Sequence, residues 1–403
     1  MFRIQTMNKI SPLGLELFPR EKYEVASEIP RPHAILVRSA ELHSVAIPDS
    51  VLAIARAGAG VNNIPQQDCS ARGIVVFNTP GGNANAVKEL AIASMLLASR
   101  NILGGWSWGT RLMENKDIAG RTDEVPDFVE KEKNRFEGPE LRGKTLGVVG
   151  LGAIGVMVAN DALALGMHVM GYDPYISVDA AWNLSHSVER AETLEGLLTK
   201  ADYVSLHMPL NDTTRGLLDA EKFRIMKNGA RIINLARGGL VNEADMIEAL
   251  KNKKIAAYVT DFPTAELLSC PGAICIPHLG ASTPEAEDNC AIMAVKQLMD
   301  YLENGHIRNS VNYPRCKLEF NSPFRLLVAN RNIPNMVGQI TTILAQASIN
   351  ITDLINHHMN DFAYNIIDTE QAIPQEQLER LIAIDGVVKV RTLEHKKNPV
   401  FNG

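Results

Sequence analysis

Thr145-Leu146-Gly147-Val148-Val149-Gly150-Leu151-Gly152-Ala153-Ile154-Gly155 is the stretch that decides the fold. A short apolar run ends in Gly-x-Gly-x-x-Gly, and an apolar helical pattern, Ala153 to Leu165, opens at once. Strand, glycine turn and helix in immediate succession are what a phosphate-binding turn requires. Gly150 permits the tight turn, Gly152 lets a pyrophosphate approach the backbone, and Gly155 allows the helix to pack close to the strand. The phosphates then meet the positive end of the helix. A second strand, His168–Tyr172, leads to Asp173, at roughly the 20-residue distance where an acid accepts ribose hydroxyls. A carboxylate there repels a 2′-phosphate, and no Arg or Lys occurs between Asp173 and Ala181. The expected cofactor is therefore NAD rather than NADP.

Outward from this unit the same alternation continues. Tyr203–His207, Arg231–Leu235, Ala256–Thr260 and Ala273–Ile276 read as buried strands, with helical patterns between them, among them Asn242–Lys251 with an asparagine cap. Residues 1 to about 96 also alternate, through Ala34–Val37, Val51–Ala55 and Ile74–Phe77, before a helical stretch from Ala86 to Ser99. Strands alternating with helices predict an α/β chain of doubly wound parallel sheets. A long helix is expected from Pro284 to about Asn304, and 314–324, with two prolines, reads as a linker. The region 325–395 follows the order βαββαβ. Glu114–Lys133 is charge-dense and is expected to be an exposed excursion.

The chain has 403 residues, and roughly 150 per domain predicts two or three domains. A net charge of −6 argues against a broad phosphate-backbone footprint, so no nucleic-acid partner is expected. The longest apolar run, Val148–Ala159, is too short to span a bilayer, so no membrane role is expected. No signal peptide is visible at the start, and five scattered cysteines without a CxxC pair fit reduced thiols in a cytoplasmic protein. No metal site is expected.

Three further stretches carry chemistry. Asn234-Leu235-Ala236-Arg237-Gly238-Gly239 places an arginine between a strand end and glycines. Asp261–Glu266 follows another strand with two acids, and Pro277-His278-Leu279-Gly280-Ala281-Ser282-Thr283 places a histidine in a loop past a third. Open α/β sheets bind ligands at strand C-terminal ends. Hydride transfer at a 2-hydroxy acid needs a cation on the carboxylate and a proton carrier titrating near neutrality. Arg237 and His278 suit those tasks, and Glu266 could orient the imidazole. Each residue taken alone favours the plainer reading of an exposed arginine, a solvated acid and a loop histidine.

Taken together, GLGAIG, Asp173, His207–Leu210, Asn234–Glu243 and Pro277–Thr283 resemble the D-isomer-specific 2-hydroxyacid dehydrogenase family, in its order and over essentially the whole chain. The resemblance implies a flavodoxin-like substrate domain from 1–96 and 284–313, and a Rossmann NAD-binding domain from 97–283. It implies Arg237, Glu266 and His278 as the catalytic trio. It also implies cofactor contacts from Thr79, Gly150, Gly152, Ala153, Ile154, Gly155, Asp173, Met208, Pro209, Thr214, Ala236, Asp261 and Gly280. The family usually reads Asp-Val-Phe-x-x-Glu-Pro where this chain has Asp261-Phe262-Pro263-Thr264-Ala265-Glu266-Leu267.

Within the family, Asn78–Asn83 (NTPGGN), the GAST ending of the histidine motif and the C-terminal region resemble members that oxidise D-3-phosphoglycerate with NAD in serine biosynthesis. Arg56, at a strand end before a glycine loop, suits a phosphate through its planar fork. Asn83 lies in the next loop, and Arg135 matches an arginine that the family can supply from a neighbouring subunit. Residues 325–395 resemble a ferredoxin-like ACT domain, which implies L-serine as effector at Asn330, Asn332 and Asn350, and a homodimer or homotetramer. Asn335 stands where that domain usually has glycine, and asparagine tolerates positive φ. The alternatives are a sibling enzyme for glycerate or 2-hydroxyglutarate, and an NAD-sensing regulator without turnover.

Overall fold

The computed structural model describes residues 1–115 and 120–394. Positions 116–119, inside the charged stretch Glu114–Lys133, and 395–403, including the last position of the expected 325–395 region, lie outside the described residues. The chain divides into two compact units, Met1–Asn83 with Pro284–Gly403, and Ala84–Thr283.

In the first unit, β1 (Phe2–Met7), β2 (Tyr23–Ala26), β3 (Ala34–Val37), β4 (Ala53–Arg56) and β5 (Val75–Phe77) form a parallel sheet in the order β2-β1-β3-β4-β5. This is the flavodoxin-like order. The expected runs at 34–37, 51–55 and 74–77 correspond to β3, β4 and β5. The first two strands escape a search for apolar runs because only Ile4 of β1 and Tyr23 of β2 are buried. The helix Pro284–Asn304 lays Ala291, Ala294, Val295, Leu298 and Leu302 into the core against this sheet. At the open edge of β5 the returning chain acts as a cap. The Asn312 side chain accepts from the Val76 amide at 2.8 Å and donates to the Ile74 carbonyl at 2.9 Å, and with the Val311 amide donating to the Val76 carbonyl at 3.0 Å it covers the edge that β4 leaves open.

The second unit is built on β6 (Thr145–Val149), β7 (His168–Tyr172), β8 (Glu189–Arg190), β9 (Tyr203–Leu206), β10 (Ala230–Asn234), β11 (Ile255–Thr260) and β12 (Ala273–Cys275). Its order is β12-β11-β10-β9-β6-β7-β8, with every pair parallel. The direction of winding reverses between β6 and β9, which opens a crevice at their C-terminal ends. The helix Ala84–Ser99 belongs to this unit. Ala91, Met95 and Ala98 share a core with Leu146, Val158, Ala159 and Ala162. The division therefore falls after Asn83 rather than after residue 96, because the apolar face of this helix is used by the nucleotide sheet.

Around the charged stretch, the helices Ile102–Thr110 and Val125–Glu132 have no buried residue. Trp108 ties this segment together, with its ring 6.1 Å from Phe128 and 5.6 Å from Phe136.

The end of the first unit forms an antiparallel sheet of β13 (Phe324–Arg331), β14 (Ile351–Met359), β15 (Phe362–Thr369) and β16 (Val387–Glu394), in the order β14-β15-β13-β16. With the helices Met336–Gln346 and Gln375–Ile382 it has the expected βαββαβ order. Leu326, Val328 and Ile367 face the two helices, whereas Leu327, Ala329, Tyr364 and Ile366 enter the core of the first sheet beside Tyr301 and Tyr313. The small sheet is thus covered on both faces. The stretch 314–324 is correspondingly anchored, with Pro314 and Cys316 buried and His306 Nε2 at 2.8 Å from the Leu318 carbonyl.

Candidate active site

The glycine loop after β6 has the geometry its sequence demands. Gly150 adopts φ +93°, and a Cβ there would lie 2.5 Å from the His207 carbonyl oxygen. A Cβ on Gly155 would sit 1.9 Å from the Gly150 oxygen, so the helix approaches the strand as only glycine allows. Gly152 faces open space, with nothing within 4 Å of an added Cβ. Ala153 and Ile154 open the helix Ala153–Ala164, where free backbone amides suit a phosphate. Asp173, past β7, accepts from the Leu151 amide and from the Tyr175 amide, both at 2.8 Å. Beside it is a cavity of about 450 Å³ whose apolar walls include Leu151, Tyr172, Ile176, Leu184 and Val188, with Asp173 at one side and Glu189, Arg190 and Glu192 also on the lining. After β9, Thr214 braces the turn that carries Met208 and Pro209, donating to the Pro209 carbonyl at 2.7 Å. A nicotinamide dinucleotide fits this set: open backbone for pyrophosphate, a slot for the adenosine, and an acid for its ribose.

Three adjacent strands, β10, β11 and β12, present the charged residues. Asn234 is wholly buried at the end of β10. It accepts from the Ala236 and Arg237 amides at 3.2 and 3.4 Å and donates to the Arg237 carbonyl at 2.9 Å. This side chain shapes the turn that exposes Arg237, whose guanidinium donates to the Ala236 carbonyl at 2.7 Å. Asp261 directly follows β11 and is 1% exposed. Burial pushes its carboxyl upward, and the charges of His278 and Arg237 oppose that rise. Gly280 lies beside it, an added Cβ being 3.7 Å from Asp261 Oδ2. His278, past β12, is exposed, and its ring centroid is 4.9 Å from that of Phe262. Glu266 is exposed in the first turn of the helix Ala265–Leu268, and among the described residues no hydrogen bond or ion pair links it to His278.

In the first unit, Arg56 ends β4 and pairs in register with Val37, so Arg38 follows on the neighbouring strand. Arg56 Nε donates to the Arg38 carbonyl at 2.8 Å, its Nη1 donates to the Gly60 carbonyl, and Arg38 Nη2 lies 2.6 Å from Glu287 Oε1. Two guanidinium groups thus stand at adjoining strand ends. Arg38 went unnoticed in the sequence; the available signal was its place directly after the apolar run Ala34–Val37, as Arg56 follows Ala53–Ala55. Thr79 is wholly buried after β5, and Asn83 is half-buried at the end of the segment. In the second unit, Arg135 is exposed and pairs with Glu132 at 2.8 Å.

The three C-terminal asparagines are placed differently from one another. Asn330 is 1% exposed, accepts from Asn365 Nδ2 at 2.7 Å and donates to the Arg331 carbonyl at 2.7 Å. Asn332 donates to the Asn360 carbonyl at 3.3 Å, and Asn350 is exposed. Asn335 has φ +65°, the left-handed geometry that glycine would otherwise supply. Among the described residues no cluster of three or more His, Cys, Asp or Glu is placed to hold a metal.

Residues 109–280 match the NAD binding domain of the D-isomer specific 2-hydroxyacid dehydrogenases, so the second unit is an NAD-binding domain. The D-3-phosphoglycerate dehydrogenase of Escherichia coli is 30% identical over 347 residues, covering 83% of this chain and 79% of that protein. The chain belongs to the D-isomer specific 2-hydroxyacid dehydrogenase family. The Methanocaldococcus jannaschii D-3-phosphoglycerate dehydrogenase is 36% identical over 311 residues, 75% of this chain but 55% of that protein. The chain thus spans little more than half the length of some curated relatives. The NAD⁺-bound 3-phosphoglycerate dehydrogenase of Entamoeba histolytica superposes with a TM-score of 0.57 at 25% identity, covering 77% of this chain and 98% of that one.

Proposed function

We propose that the chain oxidises D-3-phosphoglycerate to 3-phosphohydroxypyruvate with NAD, the first step of serine biosynthesis. The observation that carries this reading is the row Arg237, Asp261, His278 at the ends of three adjacent parallel strands, on the same sheet as the glycine loop. The phosphorylated substrate is supported by the arginine pair Arg38 and Arg56, and by the names of the relatives. NAD, when bound, supplies the hydride acceptor. Arg237, exposed on its asparagine-clamped turn, holds the substrate carboxylate. His278 takes the proton of the C2 hydroxyl on an imidazole nitrogen as that carbon becomes a carbonyl. Asp261, buried between the strands that carry them, places a carboxyl close enough to feel the charges of both Arg237 and His278. Glu266, exposed in the first turn of the helix Ala265–Leu268, completes the proposed trio.

The same proposal includes an ACT-type role for the βαββαβ region, with L-serine as effector through Asn332, Asn350 and the Asn330 loop. It also includes assembly into a homodimer or homotetramer and a cytoplasmic location. Assembly is supported by Ile102, Leu103, Trp106 and Met113, which are 44%, 46%, 69% and 48% exposed on one short segment of the second unit. Among the described residues no helix is long and apolar enough to cross a membrane, and the five cysteines are free.

The test is NADH formation with a panel of phosphorylated and unphosphorylated 2-hydroxy acids, with and without millimolar serine. Turnover with D-3-phosphoglycerate that is lost in His278→Ala, while NAD binding survives, is the expected result. Faster turnover of glycerate or 2-hydroxyglutarate overturns the substrate assignment, and indifference to serine overturns the effector.

A further inference from the structure

We infer that Phe262 is a positioning residue for His278, its ring wedged between the imidazole and the glycine turn that follows Arg237. The inference deepens the proposed reaction and rests on it for its kinetic consequences.

His278 sits in a loop, exposed, and among the described residues its ring makes no hydrogen bond. A histidine side chain so placed has several staggered rotamers available, only some of which aim a ring nitrogen at a hydroxyl on the neighbouring strand ends. What the structure supplies in place of a hydrogen bond is an aromatic contact. The Phe262 and His278 ring centroids are 4.9 Å apart with the planes at 64°, inside the range where edge-to-face pairs are attractive.

Phe262 is itself well held. It follows the buried Asp261, and its amide lies 3.2 Å from Thr260 Oγ1 as donor. Pro263 comes next, which biases the Phe262 backbone toward an extended conformation. On its other side the Phe262 Cβ stands 3.2 Å from where a Cβ on Gly238 would be. The first ring carbon, Cγ, would be 3.6 Å from the same Cβ, so the Phe262 side chain stands against the turn directly after Arg237. One side chain on β11's end thus touches the turn of the carboxylate-binding arginine and the ring of the proton carrier. Glu266, one turn further along, makes no hydrogen bond or ion pair with His278 among the described residues, so the ring contact sets the imidazole plane.

The test uses Phe262→Leu, Phe262→Tyr, His278→Gln and the double variant Phe262→Leu/His278→Gln in the full chain, with melting temperature and NAD binding as fold controls. Misplacing a base by a fraction of an ångström to an ångström lowers kcat by about 10- to 100-fold. Phe262→Leu should show such a loss with the substrate KM within about twofold, since it acts after binding. Phe262→Tyr should recover most of the rate. In the His278→Gln background Phe262→Leu should cost nothing further, because the residue through which it acts is gone.

NMR of histidine-labelled protein, with His278 assigned by its loss in His278→Gln, gives a readout that needs no turnover. The ring-current shift imposed by Phe262 should vanish in Phe262→Leu and persist in Phe262→Tyr. An unchanged His278 shift in Phe262→Leu, or the same fold-loss with and without His278, overturns the inference. Absence of turnover in the parent with every acid overturns the proposed reaction instead, and the NMR comparison still decides the role of Phe262.

Discussion

Arg325 and Asp368 face each other across the paired strands β13 and β15, both wholly buried, with Nε 2.6 Å from Oδ1 and Nη2 2.8 Å from Oδ2. The same guanidinium donates to the Asn304 carbonyl at 2.8 Å and to the Glu319 carbonyl at 3.1 Å, and lies over the Phe320 ring at 4.1 Å. One ion pair therefore fastens the small sheet to the last turn of the helix Pro284–Asn304 and to the proline-containing segment before β13. Arg325→Met leaves a buried carboxylate without its partner and should destabilise the first unit by about 3–5 kcal/mol. Arg325→Met combined with Asp368→Leu removes both charges and should recover most of that loss. Denaturant midpoints of the two variants check this; equal destabilisation would show that the pair is not the fastening.

Asp173 contributes geometry and charge, and two substitutions separate them. Asp173→Asn keeps an acceptor for the Leu151 amide but removes the repulsion of a 2′-phosphate, so discrimination against NADP should relax. Asp173→Ala also frees the loop and should weaken NAD by about 10- to 100-fold, the scale of a hydrogen bond to a charged group. Kd values for both coenzymes measure the split. Unaltered rejection of NADP by Asp173→Asn would place the discrimination elsewhere on the cavity wall.

Arg38 and Arg56 should be felt through the phosphate. Arg56→Ala also removes the ties to the Arg38 and Gly60 carbonyls, so the cleaner probe is Arg38→Gln. Its KM for the phosphorylated acid should rise about tenfold or more, the scale of a charge-assisted contact, with little change for unphosphorylated analogues. Steady-state kinetics on both substrate classes decides; parallel changes would remove Arg38 from phosphate binding.

His207 makes folding pH-dependent. It lies at the end of β9 with Ser205 Oγ 2.8 Å from its Nε2, and burial pushes the imidazole down to about 4. The unfolded chain protonates this residue near 6.5 and the folded one does not until about 4, so the unfolded state binds more protons in between. Stability is fully present above about pH 6.5 and declines as the pH falls toward 4, by up to about 3 kcal/mol from this residue. His207→Gln should flatten that part of the profile in thermal melts from pH 7 to 4.5. A parent-like slope in the variant would assign the acid sensitivity to other groups.

Much of the molecule could be read from the chain because the deciding signals are local. The turn at Gly150–Gly155 needs three glycines at fixed spacing. The cap at Asn242 needs one side chain before an amphipathic run, and the βαββαβ order needs only the switch between periods of two and 3.6. Asn335 in the left-handed region follows equally from one residue's tolerance of positive φ. Those features rest on covalent geometry and nearest-neighbour hydrogen bonds, which the sequence specifies by itself.

The remainder was settled by residues far apart in the chain. The helix Ala84–Ser99 shows an apolar face in the sequence, but only packing against the helix Ala153–Ala164 assigns it to the nucleotide sheet. Asn330 reads as a free amide until Asn365, brought beside it by strand pairing, takes its oxygen. Arg38 becomes a neighbour of Arg56 through the register of β3 and β4. Asp261, Phe262 and His278 meet through the pairing of β11 with β12, and neither the burial of that carboxylate nor the ring contact is written in any local pattern. Strand register and burial are properties of the whole sheet, fixed by long-range packing, so they are decided only once the tertiary structure forms.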